Sequence, residues 1–163
     1  MSRLLQTLLP GTQQVQNIHP LIVHFPIVFL LSAVVLYALA YGLRREPWAK
    51  AAFLLLLAGT LTAAVAVWSG LYAAEGVMVA QSVRAHLLNS HKQLMLLTLS
   101  LSGVLTLWAA MAGGFPKKGR LMFLIACLLL AVVMAKGADY GGQMVYGYNA
   151  GGNACGQPIE FRP

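Results

Sequence analysis

Four long apolar runs dominate the chain and alternate with short polar connections. Uncharged stretches run over residues 20–43, 51–74, 93–116 and 121–135. The first three exceed the roughly 20 residues that an α-helix needs to cross a hydrocarbon core. The fourth can continue to about residue 139, because the stem of Lys136 can lie along apolar surface while its ammonium reaches water. The pattern predicts an all-α integral membrane protein with transmembrane helices over about 20–43, 51–74, 91–116 and 120–139.

The charges on the connections predict the orientation in the membrane. The segments RREPWAK (44–50) and PKKGR (116–120) are short and together hold six bases and one acid. The positive-inside rule places both in the cytoplasm, so that both termini lie in the periplasm of a bacterial inner membrane. Short connections also make neighbouring helices antiparallel, which predicts an up-down-up-down four-helix bundle. We therefore expect a periplasmic leader over 1–18, the transmembrane domain over 19–140 and a Gly- and Tyr-rich periplasmic tail over 141–163.

Composition agrees with a lipid-embedded chain and excludes other classes. Hydrophobic residues make up 59% of the chain and charged residues 9%, whereas soluble domains carry about a quarter charged residues. The net charge of +7 does not indicate nucleic-acid binding, because the aromatic residues lie inside apolar runs and not among Lys and Arg. Cys127 lies in an apolar run and Cys155 in the tail, so we expect no disulfide between them. The sequence has no CxxCH motif, which excludes covalent attachment of c-type haem.

All four histidines fall at one end of the predicted bundle, the periplasmic one. They form two pairs with the same five-residue spacing, His19 with His24 and His86 with His91. The two pairs lie 67 residues apart, and Gly70 and Gly137 repeat at the same offset. This repetition predicts two tandem helical hairpins related by a pseudo-two-fold axis along the membrane normal.

Imidazoles from two different hairpins suit the axial ligation of a haem iron inside a bundle. Five residues along a helix turn a side chain by about 140° net, so one pair cannot clasp one small ion. Two pairings respect the symmetry, and the sequence leaves both open: His19 with His86 and His24 with His91, or His19 with His91 and His24 with His86. We expect two haem b groups rather than one. A single haem would take His24 and His91, which lie deeper in their helices.

Three cations and two prolines accompany the histidines. Arg84, Lys92 and Lys136 are candidate partners for haem propionates, although each could equally mark a helix end. Pro20 suits the first turn of a helix. Pro26 leaves a backbone carbonyl one turn earlier without its usual donor, which could widen the bundle or accept a histidine N–H.

The string HPLIVHFPI (19–27) resembles the opening of a bacterial family of predicted four-helix membrane proteins, catalogued as a domain of unknown function. LNSHK (88–92) and GGQMVY (141–146) extend the resemblance over nearly the whole chain. The motif positions that match are His19, Pro20, His24, Phe25 and Pro26, with His91 in the third helix. The resemblance implies a small membrane-bound b-type cytochrome that associates with a periplasmic c-type cytochrome or redox enzyme.

The sequence thus predicts a b-type cytochrome subunit that relays electrons between a periplasmic partner and the quinone pool or a larger respiratory complex. Such a chain is an electron-transfer subunit rather than a stand-alone enzyme, with quinone as a candidate ligand and the lipid bilayer as its surroundings. One alternative is a copper-handling protein, because the thioethers of Met78 and Met144 lie at the histidine-bearing end. Another is a non-redox structural anchor. No helix carries the acidic residues expected of an ion-coupled transporter.

Overall fold

The computed structural model describes residues 18–150, which form a bundle of four helices. We number them α1 (His19–Leu43), α2 (Glu46–Gly76), α3 (Gln81–Met111) and α4 (Arg120–Gly147). Each is long and apolar enough to cross a membrane, and the described part of the chain contains no strand. The all-α membrane bundle expected from the sequence is confirmed. Most of the expected leader and the last 13 residues of the expected tail lie outside the described residues.

The helices follow one another around the bundle. Each packs against the next along the chain, and α4 also packs against α1. Connections of two, four and eight residues make neighbours antiparallel, so the bundle runs up-down-up-down as two tandem hairpins, α1–α2 and α3–α4. We call the end where α1 and α3 begin the histidine end. The opposite end, with the connections 44–45 and 112–119, is the basic end.

Helix α2 is longer than its apolar run. It begins at Glu46, with Pro47 in the first turn, where a missing N–H is no loss. Arg44 ends α1 in the left-handed region, at φ 52°. The segment expected to be a seven-residue connection is therefore mostly helix, and two residues join α1 to α2.

Helices α3 and α4 also extend further toward the histidine end than the apolar runs indicate. Helix α3 begins at Gln81, ten residues before the expected span, and includes a wide π-helical turn over Arg84–Leu88. Helix α4 ends in a second π-helical turn over Gln143–Gly147, inside the segment expected to be tail. Polar residues at a membrane boundary do not end a helix, because hydrogen-bonding within the helix still satisfies the backbone there.

The prolines shape the start of α1. Pro20 lies in the first turn, as expected. The chain makes a turn at Val23, between the short segment His19–Ile22 and the long segment His24–Leu43. Pro26 is buried and cannot donate to the carbonyl four residues earlier. Helix α1 is therefore least regular where it carries its histidines.

Small residues set the distance between helices in the middle of the bundle. A Cβ on Gly59 would lie 2.6 Å from Cδ2 of Leu30, so α1 and α2 approach closely there. The hydroxyls of Thr60 and Thr106 share a hydrogen bond of 2.8 Å that joins α2 to α3. Glycine on one side and a paired polar group on the other thus fix α2 between its two neighbours.

An aromatic cluster holds the basic end together. Tyr37, Trp108, Phe115 and Phe123 pack with ring centroids 4.9 to 5.8 Å apart, mostly edge to face. The Tyr37 hydroxyl also donates a 2.8 Å hydrogen bond to the carbonyl of Gly114. This bond ties the connection between α3 and α4 to α1, across the two hairpins.

Replacing Tyr37 by Phe should lower the free energy of unfolding by about 1–3 kcal/mol, because the buried Gly114 carbonyl loses its donor. Tyr41→Phe is the matched control, since Tyr41 lies one turn further along α1 and is 45% exposed. The measurement is the thermal unfolding midpoint of each variant in the same detergent. Equal midpoints for the two variants would show that the Tyr37 bond does not stabilise the basic end.

Candidate functional site

The histidine end brings two of the four histidines into the bundle. His19 on α1 and His91 on α3 are half-buried, whereas His24 and His86 are exposed. The two half-buried rings come from different hairpins and from helices placed diagonally in the bundle. Both rings lie at the histidine end, and each packs against the second helix of its own hairpin. His19 and His91 therefore form the candidate site.

Helix α2 forms a cradle for the ring of His19. Nδ1 of His19 lies 3.1 Å from Oγ of Ser69, and the ring also hydrogen-bonds to the backbone of Ala66. The Ser69 hydroxyl donates in turn to the Ala66 carbonyl over 3.0 Å. A Cβ on Gly70 would lie 2.7 Å from Cε1 of His19, a distance that real Cβ atoms do not show. The ring can occupy this place only because residue 70 is glycine.

Helix α4 forms the corresponding cradle for His91. Nδ1 of His91 lies 2.7 Å from the carbonyl oxygen of Gly137. Since a carbonyl can only accept, Nδ1 carries the proton and the neutral ring keeps a lone pair on Nε2. A Cβ on Gly141 would lie 3.2 Å from Cε1 of the ring, tighter than ordinary contact.

The two cradles are equivalent, and their equivalence supports the pseudo-two-fold relation of the hairpins. Each consists of a backbone position that binds the ring and a glycine four residues later: Ala66 and Gly70 on α2, Gly137 and Gly141 on α4. The cradles lie 71 residues apart and their histidines 72. His19 and His91 share this kind of cradle, whereas the 67-residue repeat in the sequence pairs His19 with His86.

Hydrogen bonds hold both rings, but Nδ1 of His19 contacts the Ser69 hydroxyl, whereas Nδ1 of His91 donates to the Gly137 carbonyl. A hydrogen bond from Nδ1 to a backbone carbonyl fixes the tautomer and the orientation of an imidazole and directs its Nε2 lone pair to a metal. The carbonyl freed by Pro26 was a candidate for this role, but the acceptors lie on α2 and α4 instead. Two such rings, one from each hairpin, are the donor set that axial ligation of haem iron requires.

The remaining histidines lie outside this arrangement. His24, expected to ligate a single haem, is exposed on α1, and His86 is exposed within the π-helical turn of α3. Of the two symmetric pairings, the one that joins His19 with His91 pairs the two half-buried rings. Its second pair, His24 with His86, is on the outer surface of the chain.

Arg84 holds the end of α2. Its two terminal nitrogens donate to the carbonyls of Ala74 and Val77, over 2.7 and 3.1 Å. These carbonyls lie at the C-terminus of α2, where a cation also complements the helix dipole. Arg84 thus acts as a helix cap.

The two candidate lysines differ in whether they already form an ion pair. Lys136 forms an exposed ion pair with Asp139 at 3.3 Å and lies over the ring of Tyr140. Lys92 is half-buried beside His91 and makes no hydrogen bond or ion pair within residues 18–150. Lys92 is therefore the cation of the three that remains available near the paired rings.

The two methionines of the copper hypothesis differ in their surroundings. Met144 is buried in an apolar cluster with Val83, Leu87 and Leu88, and Met78 is exposed in the connection between α2 and α3. In the described part of the chain, no three His, Cys, Asp or Glu side chains lie together as metal ligands. The site contains two imidazoles and their cradles.

The sequence repeat singled out Gly70 and Gly137, but it did not indicate Ser69 or Gly141, nor the contacts of these positions with the histidine rings. Ser69 and Gly70 form a Ser-Gly pair near the end of an apolar run, and Gly141 belongs to the GGQMVY segment. A polar residue next to glycine on a membrane helix is the signal that could have indicated a close approach by another polar group.

Substituting alanine into the cradles should displace the rings in proportion to the crowding. Gly70→Ala should lower the thermal midpoint more than Gly141→Ala, because the added Cβ would lie 2.7 Å from one ring and 3.2 Å from the other. Gly142→Ala is the control, since nothing lies within 4 Å of its Cβ; better helix propensity should stabilise it by up to about 1 kcal/mol. ¹⁵N NMR of the imidazoles should show the Nδ1–H tautomer of His91 in the control. Unchanged midpoints for all three variants would contradict the close approach.

Comparison with known proteins gives a family but no closer relative. No curated protein and no solved structure matches the chain. The family described as "Predicted membrane protein (DUF2231)" matches residues 15–154, a region that contains all four helices and both cradles. The chain belongs to this family of membrane proteins of unknown function.

Proposed function

We propose that the protein is a membrane-embedded b-type cytochrome subunit, in which His19 and His91 are the axial ligands of haem. The observation that carries the proposal is the pair of equivalent cradles. Each hairpin provides one half-buried imidazole, and hydrogen bonds to the neighbouring helix hold that ring beside a glycine.

The residues of the candidate site fit haem. Axial ligation needs neutral imidazoles with an Nε2 lone pair, and the hydrogen bond from Nδ1 of His91 to the Gly137 carbonyl provides that tautomer for His91. Haem supplies one-electron chemistry when bound. With both axial positions taken by histidine, transfer of electrons is favoured over reactions of oxygen.

The proposal is for one haem where the sequence led us to expect two. His19 and His91 are the only two histidines among residues 18–150 that are half-buried, and His24 and His86 are exposed. Ligation by an exposed ring would leave a haem face in contact with lipid or water. One haem between the hairpins therefore suits the burial pattern better.

Lys92 is the proposed partner of a propionate. It adjoins His91, is half-buried and is not engaged within the described residues, whereas Arg84 caps α2 and Lys136 pairs with Asp139. A cation near a membrane boundary stabilises a carboxylate there.

The charge pattern supports an orientation and a type of partner. The basic end would face the cytoplasm of a bacterial inner membrane, and the histidine end and both termini the periplasm. A haem at the histidine end could then exchange electrons with a periplasmic c-type cytochrome or redox enzyme. The second partner would be the quinone pool or a larger respiratory complex. With its histidines at one end, the chain by itself offers no ladder of haems across the bilayer.

Absorption spectroscopy of the purified protein tests the proposal. The wild type, produced with adequate haem, should show a reduced α-band of b-type haem and pyridine-extractable haem near one per chain. His19→Ala and His91→Ala should each lose it. The matched controls His24→Ala and His86→Ala remove an exposed imidazole from the same two helices and should retain the wild-type spectrum.

Two outcomes would contradict the proposal. A colourless wild-type preparation would favour a structural anchor, and loss of haem in the controls but not in His19→Ala would place the ligands elsewhere. Metal analysis of the same preparation tests the copper hypothesis. Copper that disappears on substitution of Met78 or Met144, without any haem spectrum, would favour that alternative.

A further inference from the structure

A charged cavity of about 380 Å³ lies at the basic end, remote from the histidines. Its charged lining comes from both connections at that end and from the first turns of α2 and α4. It comprises five bases and one acid: Arg44, Arg45, Glu46, Lys50, Lys117 and Arg120. Such a cavity has a strong excess of positive charge and suits an anion.

The backbone adds to this positive field. Helix α2 begins at the cavity, and its N-cap residue Arg45 makes no side-chain hydrogen bond to the first turn. Helix α4 begins beside it after Gly119, again without a side-chain cap. The first N–H groups of a helix and the positive end of its dipole favour a bound anion. Two helix starts therefore reinforce the same cavity.

Arg120 is held in position beside the cavity. Its Nε donates a 3.1 Å hydrogen bond to the carbonyl of Pro116, and its guanidinium lies 5.1 Å from the ring centroid of Phe115. Neither contact uses a terminal nitrogen of Arg120 as a donor. Both terminal nitrogens can therefore still bind a phosphate oxygen. An arginine already fixed by its surroundings loses little conformational entropy on binding.

A second cavity, of about 360 Å³, adjoins the first and is mostly apolar. Phe53, Leu54 and Ala110 line it, and Lys50 and Gly113 line both cavities. The two together offer a charged compartment next to an apolar one at the outer surface of α2 and α3. A free phosphate would use only the first compartment. A phospholipid would use both, with its phosphate in the charged compartment and an acyl chain in the apolar one.

We propose that an anionic phospholipid binds at the basic end, with its headgroup phosphate in the charged cavity and the start of an acyl chain beside Phe53 and Leu54. Basic pockets between transmembrane helices are suited to such headgroups. A topology signal alone would require positive charge on this side of the membrane, but not its convergence on one cavity. The inference is independent of the proposed haem.

Two neighbouring lysines allow a matched test. Lys117 lines the charged cavity, and Lys118, in the same connection, does not. The full chain in a neutral detergent is titrated with phosphatidylglycerol and, separately, with phosphatidylcholine, and bound lipid is counted by native mass spectrometry. Phosphatidylglycerol should be preferred. Lys117→Gln should weaken its binding about fivefold, and Lys118→Gln by less than about twofold.

Glu46 provides a test of opposite sign. It is the acid of the charged lining, so Glu46→Gln should strengthen binding of phosphatidylglycerol, again about fivefold. Circular dichroism confirms the fold of each variant before titration. Equal weakening by Lys117→Gln and Lys118→Gln would overturn the proposal, as would equal binding of the two lipids. Retention of inorganic phosphate without any lipid would overturn it in favour of a free anion.

Discussion

An imidazole N–H in hydrocarbon must meet an acceptor, since the bilayer interior has no water to offer one. In this bundle the backbone around Ala66 and Gly137 meets that need. The helix backbone has already used most of its carbonyls, so a ring can reach one only by lying against the helix itself. Glycine at positions 70 and 141 makes room for that approach. This requirement explains which rings turn inward at the histidine end. It also explains how closely the two helices of each hairpin approach there.

The fold could be predicted from the sequence because long apolar runs indicate membrane-spanning helices and short charged segments indicate the connections between them. The helix ends could not, because residues such as Glu46 and Gln81 are polar yet helical, and hydropathy does not distinguish a polar helix end from a loop. For the site, the grouping of the histidines at one end followed from antiparallel helices. The choice among them did not, since a five-residue spacing that occurs twice does not indicate which rings turn inward. His19 corresponds to His91 because of contacts with other helices, which a linear pattern does not contain.

The two ends of the bundle differ in how they are held together. At the basic end, Tyr37 and Phe123 belong to a dense aromatic cluster, and a hydrogen bond fixes the long connection. At the histidine end, a smaller apolar cluster around Val83 and Met144 joins α3 to the end of α4. A rigid basic end is suited to hold charged groups around a fixed cavity. At the histidine end, hydrogen bonds between half-buried rings and the neighbouring helices hold each hairpin together.

The π-helical turn over Arg84–Leu88 has a consequence for how α3 tolerates changes in length. A wide turn accommodates one residue more than regular winding, so the segments before and after it differ in phase by about 100°. Arg84 can then face the end of α2 while His91, further along, faces the interior. Deleting one residue within the turn would restore regular winding and rotate one of these side chains away from its partner. The helix would still be long enough to cross the membrane. It could keep either the contact of Arg84 with α2 or that of His91 with α4, but not both.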